Sequence, residues 1–277
     1  MWQINVEDRR VGDWPVLLNP VLSLVKNREL VRETAIRELK SLNKGSALGN
    51  LWLFLRPLLQ TGAYVIIVAY VFKMRLRPDS SPLDYATYVL SGMVPWQLVV
   101  QAIAASPSLV RGQVTLVKQV VYPIETLPLT NLAVAMFTSL VTFGLYLLLA
   151  LKTGTLQWTC LLLPIPFLLF VIFTIGISWI LMMLGVLFKD LREVVSIIVS
   201  LLVFMSPVLT SRQMVGDATW RFILCNPLAH IIICFRDVFN SEYHPTSWLI
   251  FVAMAFSTLL VGGYVVSRTR LMVNEYI

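Results

Sequence analysis

Two long runs without a charged residue, Tyr85–Val110 and Thr126–Leu151, constrain this chain more than any other feature. Each is long enough to cross a bilayer, which takes about 20 apolar residues. A backbone in hydrocarbon must satisfy its own polar groups, so the runs read as transmembrane helices. Composition agrees. The 277 residues are 57% hydrophobic and 13% charged, where soluble domains carry about 25% charged residues. The mean hydropathy is +0.77.

Further spans follow along the chain, and the expected fold is an all-α integral membrane protein with six of them: 51–72, 85–110, 127–151, 158–188, 194–210 and 246–267. Residues 1–26 read as a cytoplasmic tail, partly extended over Met1–Pro20, which has charges and prolines but no apolar stretch of the signal-peptide kind. Residues 27–45 contain apolar positions at Leu30, Val31, Ala35, Ile36, Leu39 and Leu42, close to helical spacing, opposite a basic face. A helix of that type lies in the membrane interface. Gly45 and Gly49 break it, and residues 46–277 form the six-span domain. Arg56, one turn inside the first span, reads as an anchor that snorkels to the headgroups.

Orientation follows from the basic residues. With both termini inside, 15 Lys and Arg fall on the cytoplasmic side and 7 outside. The bias favours an even number of spans with cytoplasmic termini, and it explains the net charge of +7 without nucleic acid.

Two interruptions are candidate functional segments. Val110–Asn131 is a short polar stretch between two spans, with a helix expected from about Gly112 to Val121, stopping at Tyr122-Pro123. Its shape suits docking into another protein and equally suits a plain connection. Phe222–Phe235 is fourteen residues without a formal charge, broken by Asn226-Pro227. At 1.5 Å per residue it reaches about 21 Å, short of the ~30 Å core. The expectation is a pair of re-entrant half-helices between spans five and six; a cap packed on the membrane face is the alternative.

No HExxH, GxSxG, paired CxxC or GxxxxGK[ST] pattern occurs. Cys160, Cys225 and Cys234 lack metal-ligand spacing and read as small buried hydrophobes. The span centres carry no ionisable cluster of the kind an intramembrane enzyme or an ion-coupled carrier needs. The chain is therefore either a passive or structural protein, or it is driven by another polypeptide. It is not expected to be an enzyme or to bind a metal.

Three segments carry a resemblance. Arg37-Glu38-Leu39-Lys40, Lys44-Gly45-Ser46-Ala47-Leu48-Gly49-Asn50-Leu51-Trp52 and Pro57-Leu58-Leu59 come first. Lys118 with Tyr122-Pro123-Ile124-Glu125 and Leu127-Pro128 come next, then Asn226-Pro227-Leu228, His230 and Arg236-Asp237. In order and separation they resemble the polysaccharide exporters among the ABC-2 type permeases. Asn43 stands where many members have Tyr, and the N-terminal extension is longer than is usual there.

The resemblance implies a permease subunit of an ATP-driven exporter in the bacterial inner membrane. Two copies would pair around a channel, with two copies of a separate ATPase beneath them. ATP and Mg would be held by that ATPase, with no cofactor on this chain. The cargo would be a lipid-linked polysaccharide: an O-antigen, a capsule or a teichoic acid. The implied ATPase contacts are Arg37, Lys40, Lys44, Gly45, Lys118, Tyr122, Pro123 and Glu125. The implied outer gate holds Asn226, Pro227, His230 and Arg236. Aromatic candidates for the channel wall are Trp52, Tyr64, Tyr70, Trp96 and Phe204, though aromatics at span ends commonly form the interfacial belt. An exporter of drugs or small lipids, and a membrane transferase acting on lipid-linked sugars, are the competing readings.

Overall fold

The computed structural model describes residues 19–42, 44–71, 81–113 and 122–269. They are helical throughout, with no strand among them. The expected helix from about Gly112 to Val121 lies outside the described residues from position 114 on, Lys118 with it.

Helix α1 (Asn19–Lys26) and helix α2 (Arg28–Ser41) come first, so the end of the stretch read as a tail is helical. Gly45 and Gly49 follow with φ of +85° and +50°, a region where a side chain is strained. Helix α3 (Trp52–Ile66) contains Pro57 and continues through a π-helical turn to Val71.

Helix α4 (Pro82–Ala105) opens on a capping box, in which Ser81 and Asp84 satisfy each other's backbone N–H groups. It runs on through a tight turn to Gly112. Helix α5 (Leu127–Thr153) ends at Gly154 in the left-handed conformation, a glycine stop. Helices α6 (Pro164–Leu187) and α10 (Pro245–Thr269) are the other long apolar helices. Among the described residues these four, from Pro82, Ile124, Pro164 and Pro245 onward, are long and apolar enough to cross a membrane. The most apolar window of the first is 72% buried, against 28% for those of α5 and α10, so α4 is the hub.

Helix α7 (Leu191–Leu202) is shorter than the expected fifth span, 194–210. Twelve residues reach about 18 Å. Pro207 supplies the reason. Its ring would collide with the carbonyl of Val203 in a continued helix, and it has no N–H to give that carbonyl. The backbone beyond Leu202 therefore runs in tight turns to Thr210.

Helices α8 (Arg212–Leu224) and α9 (Pro227–Asn240) are separated at Cys225-Asn226, immediately before Pro227. Every residue of α9 from Leu228 to Phe239 is buried. Apart from His230, Arg236 and Asp237 this buried stretch is apolar, as an interior helix is, and α9 packs against α4, α6 and α10. Close approach elsewhere depends on small residues. A Cβ on Gly176 of α6 would overlap the α10 backbone at Thr258 and Leu259, and one on Gly262 would overlap the Gly176 carbonyl.

Candidate functional site

The turns after α7 leave backbone carbonyls that no helix satisfies. Four side chains supply the donors, two from α4, one from α9 and one from the cap of α9. Asn226 Nδ2 donates to Met205 O at 3.0 Å. The Arg236 guanidinium donates to Pro207 O and, at 2.8 Å, to Val208 O. Tyr85 Oη donates to Leu209 O at 2.5 Å and Tyr88 Oη to Thr210 O at 3.0 Å. An unwound segment buried among helices persists only when its polar groups are met in this way.

Arg236 is 4% exposed, and its charge is held by further groups. It donates to Tyr88 Oη at 2.7 Å, Tyr88 O at 3.1 Å and Ser91 Oγ at 3.3 Å. Its guanidinium carbon lies 3.8 Å from the centre of the Tyr88 ring, a cation–π contact. Gly92 makes room for it, because a Cβ there would come within 2.7 Å of Nη2.

The neighbouring Asp237 ties α9 to the next helix. Its oxygens accept from His244 N at 2.8 Å, His244 Nδ1 at 2.6 Å and Trp248 Nε1 at 2.9 Å. Asp237, Glu242 and His244 bring ligand atoms near enough to hold a metal ion. Both Asp237 oxygens already have donors from the chain, so the cluster is accounted for as a structural lock.

The break itself is tightly capped. Asn226 Oδ1 accepts from Leu228 N, which frees Leu224 O from its helical partner. His230 Nε2 lies 3.1 Å from that carbonyl and Nδ1 lies 3.1 Å from Ser247 Oγ. A carbonyl only accepts, so Nε2 carries the proton and Ser247 donates to Nδ1. The implied gate residues Asn226, Pro227, His230 and Arg236 thus sit in one bonded assembly with α4 and α10.

The implied coupling residues lie at the opposite end of the bundle. Arg37, Lys40 and Lys44 are exposed there, and α2 packs its Val31, Thr34 and Ala35 face inward. Glu125 is 6% exposed, on a turn whose carbonyl accepts from Trp179 Nε1 at 3.0 Å. Its side chain therefore faces the chain's own interior rather than a free surface. Arg111 Nη2 donates to Val186 O at 2.9 Å, joining the ends of α4 and α6.

The aromatic candidates divide. Tyr64, Tyr70 and Phe204 are 41%, 63% and 75% exposed, Trp52 is half-buried, and Trp96 is packed into the core.

Sequence reading missed the tyrosines. Tyr85 and Tyr88 stand three apart just inside an S-P-L-D capping signal, which fixes where α4 starts and which face they share. It also missed a polar ladder among α3, α4 and α5. Thr142 Oγ1 donates to Gln97 Oε1 at 2.6 Å, Thr138 Oγ1 donates to Gln101 Oε1 at 2.5 Å, and Thr61 lies 3.3 Å from Thr142. The i,i+4 spacing of both pairs in the sequence is the signal that would have shown it.

Known proteins resemble the chain over most of its length. The family described as ABC-2 type transporter matches residues 30–240. The O-antigen export system permease protein RfbA of Myxococcus xanthus is 25% identical over 248 residues, covering 88% of this chain and 93% of that protein. The protein of the same name from Klebsiella pneumoniae is 30% identical over 217 residues, covering 75% and 80%. The polysialic acid transport protein KpsM of Escherichia coli is 24% identical over 246 residues, covering 85% and 91%.

Proposed function

The chain belongs to the ABC-2 type transporter family, and from that premise we propose that it is the membrane permease of an ATP-driven polysaccharide exporter. The observation that carries the reading is the end-to-end similarity to permeases named for two different polysaccharides, O-antigen and polysialic acid. Similarity that spans 91–93% of those proteins is a similarity of whole chains rather than of a shared fragment.

In this reading the chain crosses the bacterial inner membrane six times with both termini in the cytoplasm. Spans one and five are α3 with its continuation and α7 with the turns after it. Helices α8 and α9 dip into the membrane from outside and return. The unwound segment 203–210 and the break at Asn226 form the inner wall of the outer gate. Two copies enclose the channel, and a separate ATPase in two copies binds the end bearing Arg37, Lys40 and Lys44. ATP and Mg act on that ATPase. The cargo is a lipid-linked, O-antigen-like polymer. Sugar chains need hydroxyl-bonding and aromatic surfaces rather than ion sites, and the accessible Tyr64, Tyr70 and Phe204 are of that kind.

Deletion of the gene, followed by analysis of surface and intracellular polysaccharide, tests the reading. The expected result is loss of one polymer from the surface with its accumulation inside, restored by the intact gene. Normal surface display in the deletion strain would overturn it.

A further inference from the structure

A cleft of about 750 Å³ opens beside the Arg236 assembly, at the end of the bundle away from Glu125. Its size falls in the range of small-ligand sites, about 300–1,000 Å³. Its wall is drawn from the start of α4, the Gly154–Gln157 loop, α8, α9 and the turn before α10. Polar and aromatic groups alternate on it. Asp84, Gln157, Gln213 and Glu242 bring carboxylates and amides, and Trp220 brings a broad apolar face. Ser211, 9% exposed, lines the same wall, and its Oγ has no hydrogen-bond partner among the described residues.

We propose that this cleft binds a short neutral segment of the exported glycan as it leaves the channel. The proposal rests on the exporter reading and adds the charge class of the sugar. A pyranose offers adjacent hydroxyls, which carboxylates and amides accept and donate to, and an apolar C–H face, which an indole covers. The charge on the wall decides between neutral and acidic sugars. Bonds to neutral carbonyls leave the charge of Arg236 in place, and Arg212 pairs with Asp217 at 2.7 Å. The carboxylates of Asp84, Asp217, Asp237 and Glu242 still outnumber the cations, Arg212, Arg236 and His244, and a negative wall repels an anionic polymer.

The test uses the full chain in complex with its ATPase, embedded in lipid nanodiscs. The probe is the host's own surface polysaccharide, cleaved by mild acid to about three or four sugar units, a length that suits a cleft of this volume. Anion exchange separates the fragments into neutral and anionic pools, and saturation-transfer NMR reads binding. The neutral pool should bind saturably and the anionic pool should not. Trp220→Ala should weaken binding about three- to tenfold, the contribution of one stacked aromatic face. Glu242→Gln, an exposed change that leaves packing alone, should weaken it about fivefold. Glu242→Lys should admit the anionic pool. Preference for the anionic pool, binding of neither pool, or unchanged binding in both Trp220→Ala and Glu242→Gln would overturn the proposal. Surface display of polymer is measured in the same strains. Intact export with no neutral-glycan binding refutes the cleft alone, whereas persistent display after gene deletion refutes the exporter reading beneath it.

Discussion

Replacing Arg236 by Met removes the donors from Pro207 O and Val208 O while keeping much of the side-chain volume. Each orphaned buried carbonyl costs about 1–3 kcal/mol, so the two together cost about 2–6 kcal/mol. Relief from burying a charge offsets part of this, leaving about 2–4 kcal/mol net. For a chain of this size each kcal/mol lowers the melting temperature by about 2–4 °C, so the fall should be about 4–16 °C. Hydrogen exchange locates the effect. Local opening around 203–211 should become about 30- to 700-fold more populated, the same energy converted at a factor of ten per 1.4 kcal/mol. Arg236→Lys should fare no better, because a buried ammonium keeps the charge but loses the planar fork that reaches both carbonyls. Unchanged exchange in 203–211 for the Met variant, or full rescue by Lys, would refute the claim that this guanidinium holds the unwound segment.

The other predictions concern packing. Gly92→Ala should cost about 1–3 kcal/mol in detergent unfolding, because its methyl group would meet a guanidinium that five bonds hold in place; wild-type stability would contradict the crowding argument. Gly176→Ala should separate α6 from α10 and cost at least about 1–3 kcal/mol, measured in the same way. Thr142→Val should cost only about 0.6 kcal/mol, the average for a hydrogen bond between membrane helices, so a large loss would mean the ladder has another role.

How much was legible follows from the kind of signal each element carries. The long helices were readable because a mostly apolar stretch of 24 or more residues has few alternatives, and the ends of α4 and α5 fell within a few residues of expectation. The break at Asn226-Pro227 was readable for a local reason, the chemistry of proline. The early end of α7 had the same cause at Pro207, a stop that Ser206-Pro207 marks in the sequence, but the proline acts back to the Val203 carbonyl and the helix already ends at Leu202. Burial was not readable. Nothing in an apolar helix with weak periodicity says which of several faces a neighbour, so the central place of α4 and α9 needed the structure. Arg236 was picked out only by resemblance. Its partners are carbonyls 28–29 residues away and the hydroxyls of Ser91 and Tyr88, 145 and 148 residues away, and carbonyls leave no mark in a sequence. Glu125 in a polar loop reads as an exposed charge, and only the packing of Trp179 against its turn places it inside. Burial decides where the proposed gate can be labelled. Asn226 and Ala229 are at most 3% exposed, so the exposed Gln213 is the position for a reporter cysteine.

The central claim is that this chain carries polysaccharide across a membrane when a separate ATPase hydrolyses ATP. The most direct measurement uses inverted membrane vesicles containing the chain and its ATPase, loaded from outside with the host's lipid-linked polymer and then treated with a glycan-degrading enzyme. The account predicts that polymer becomes protected inside the vesicles only when ATP, the ATPase and this chain are all present. Equal protection without ATP, or without this chain, would contradict it.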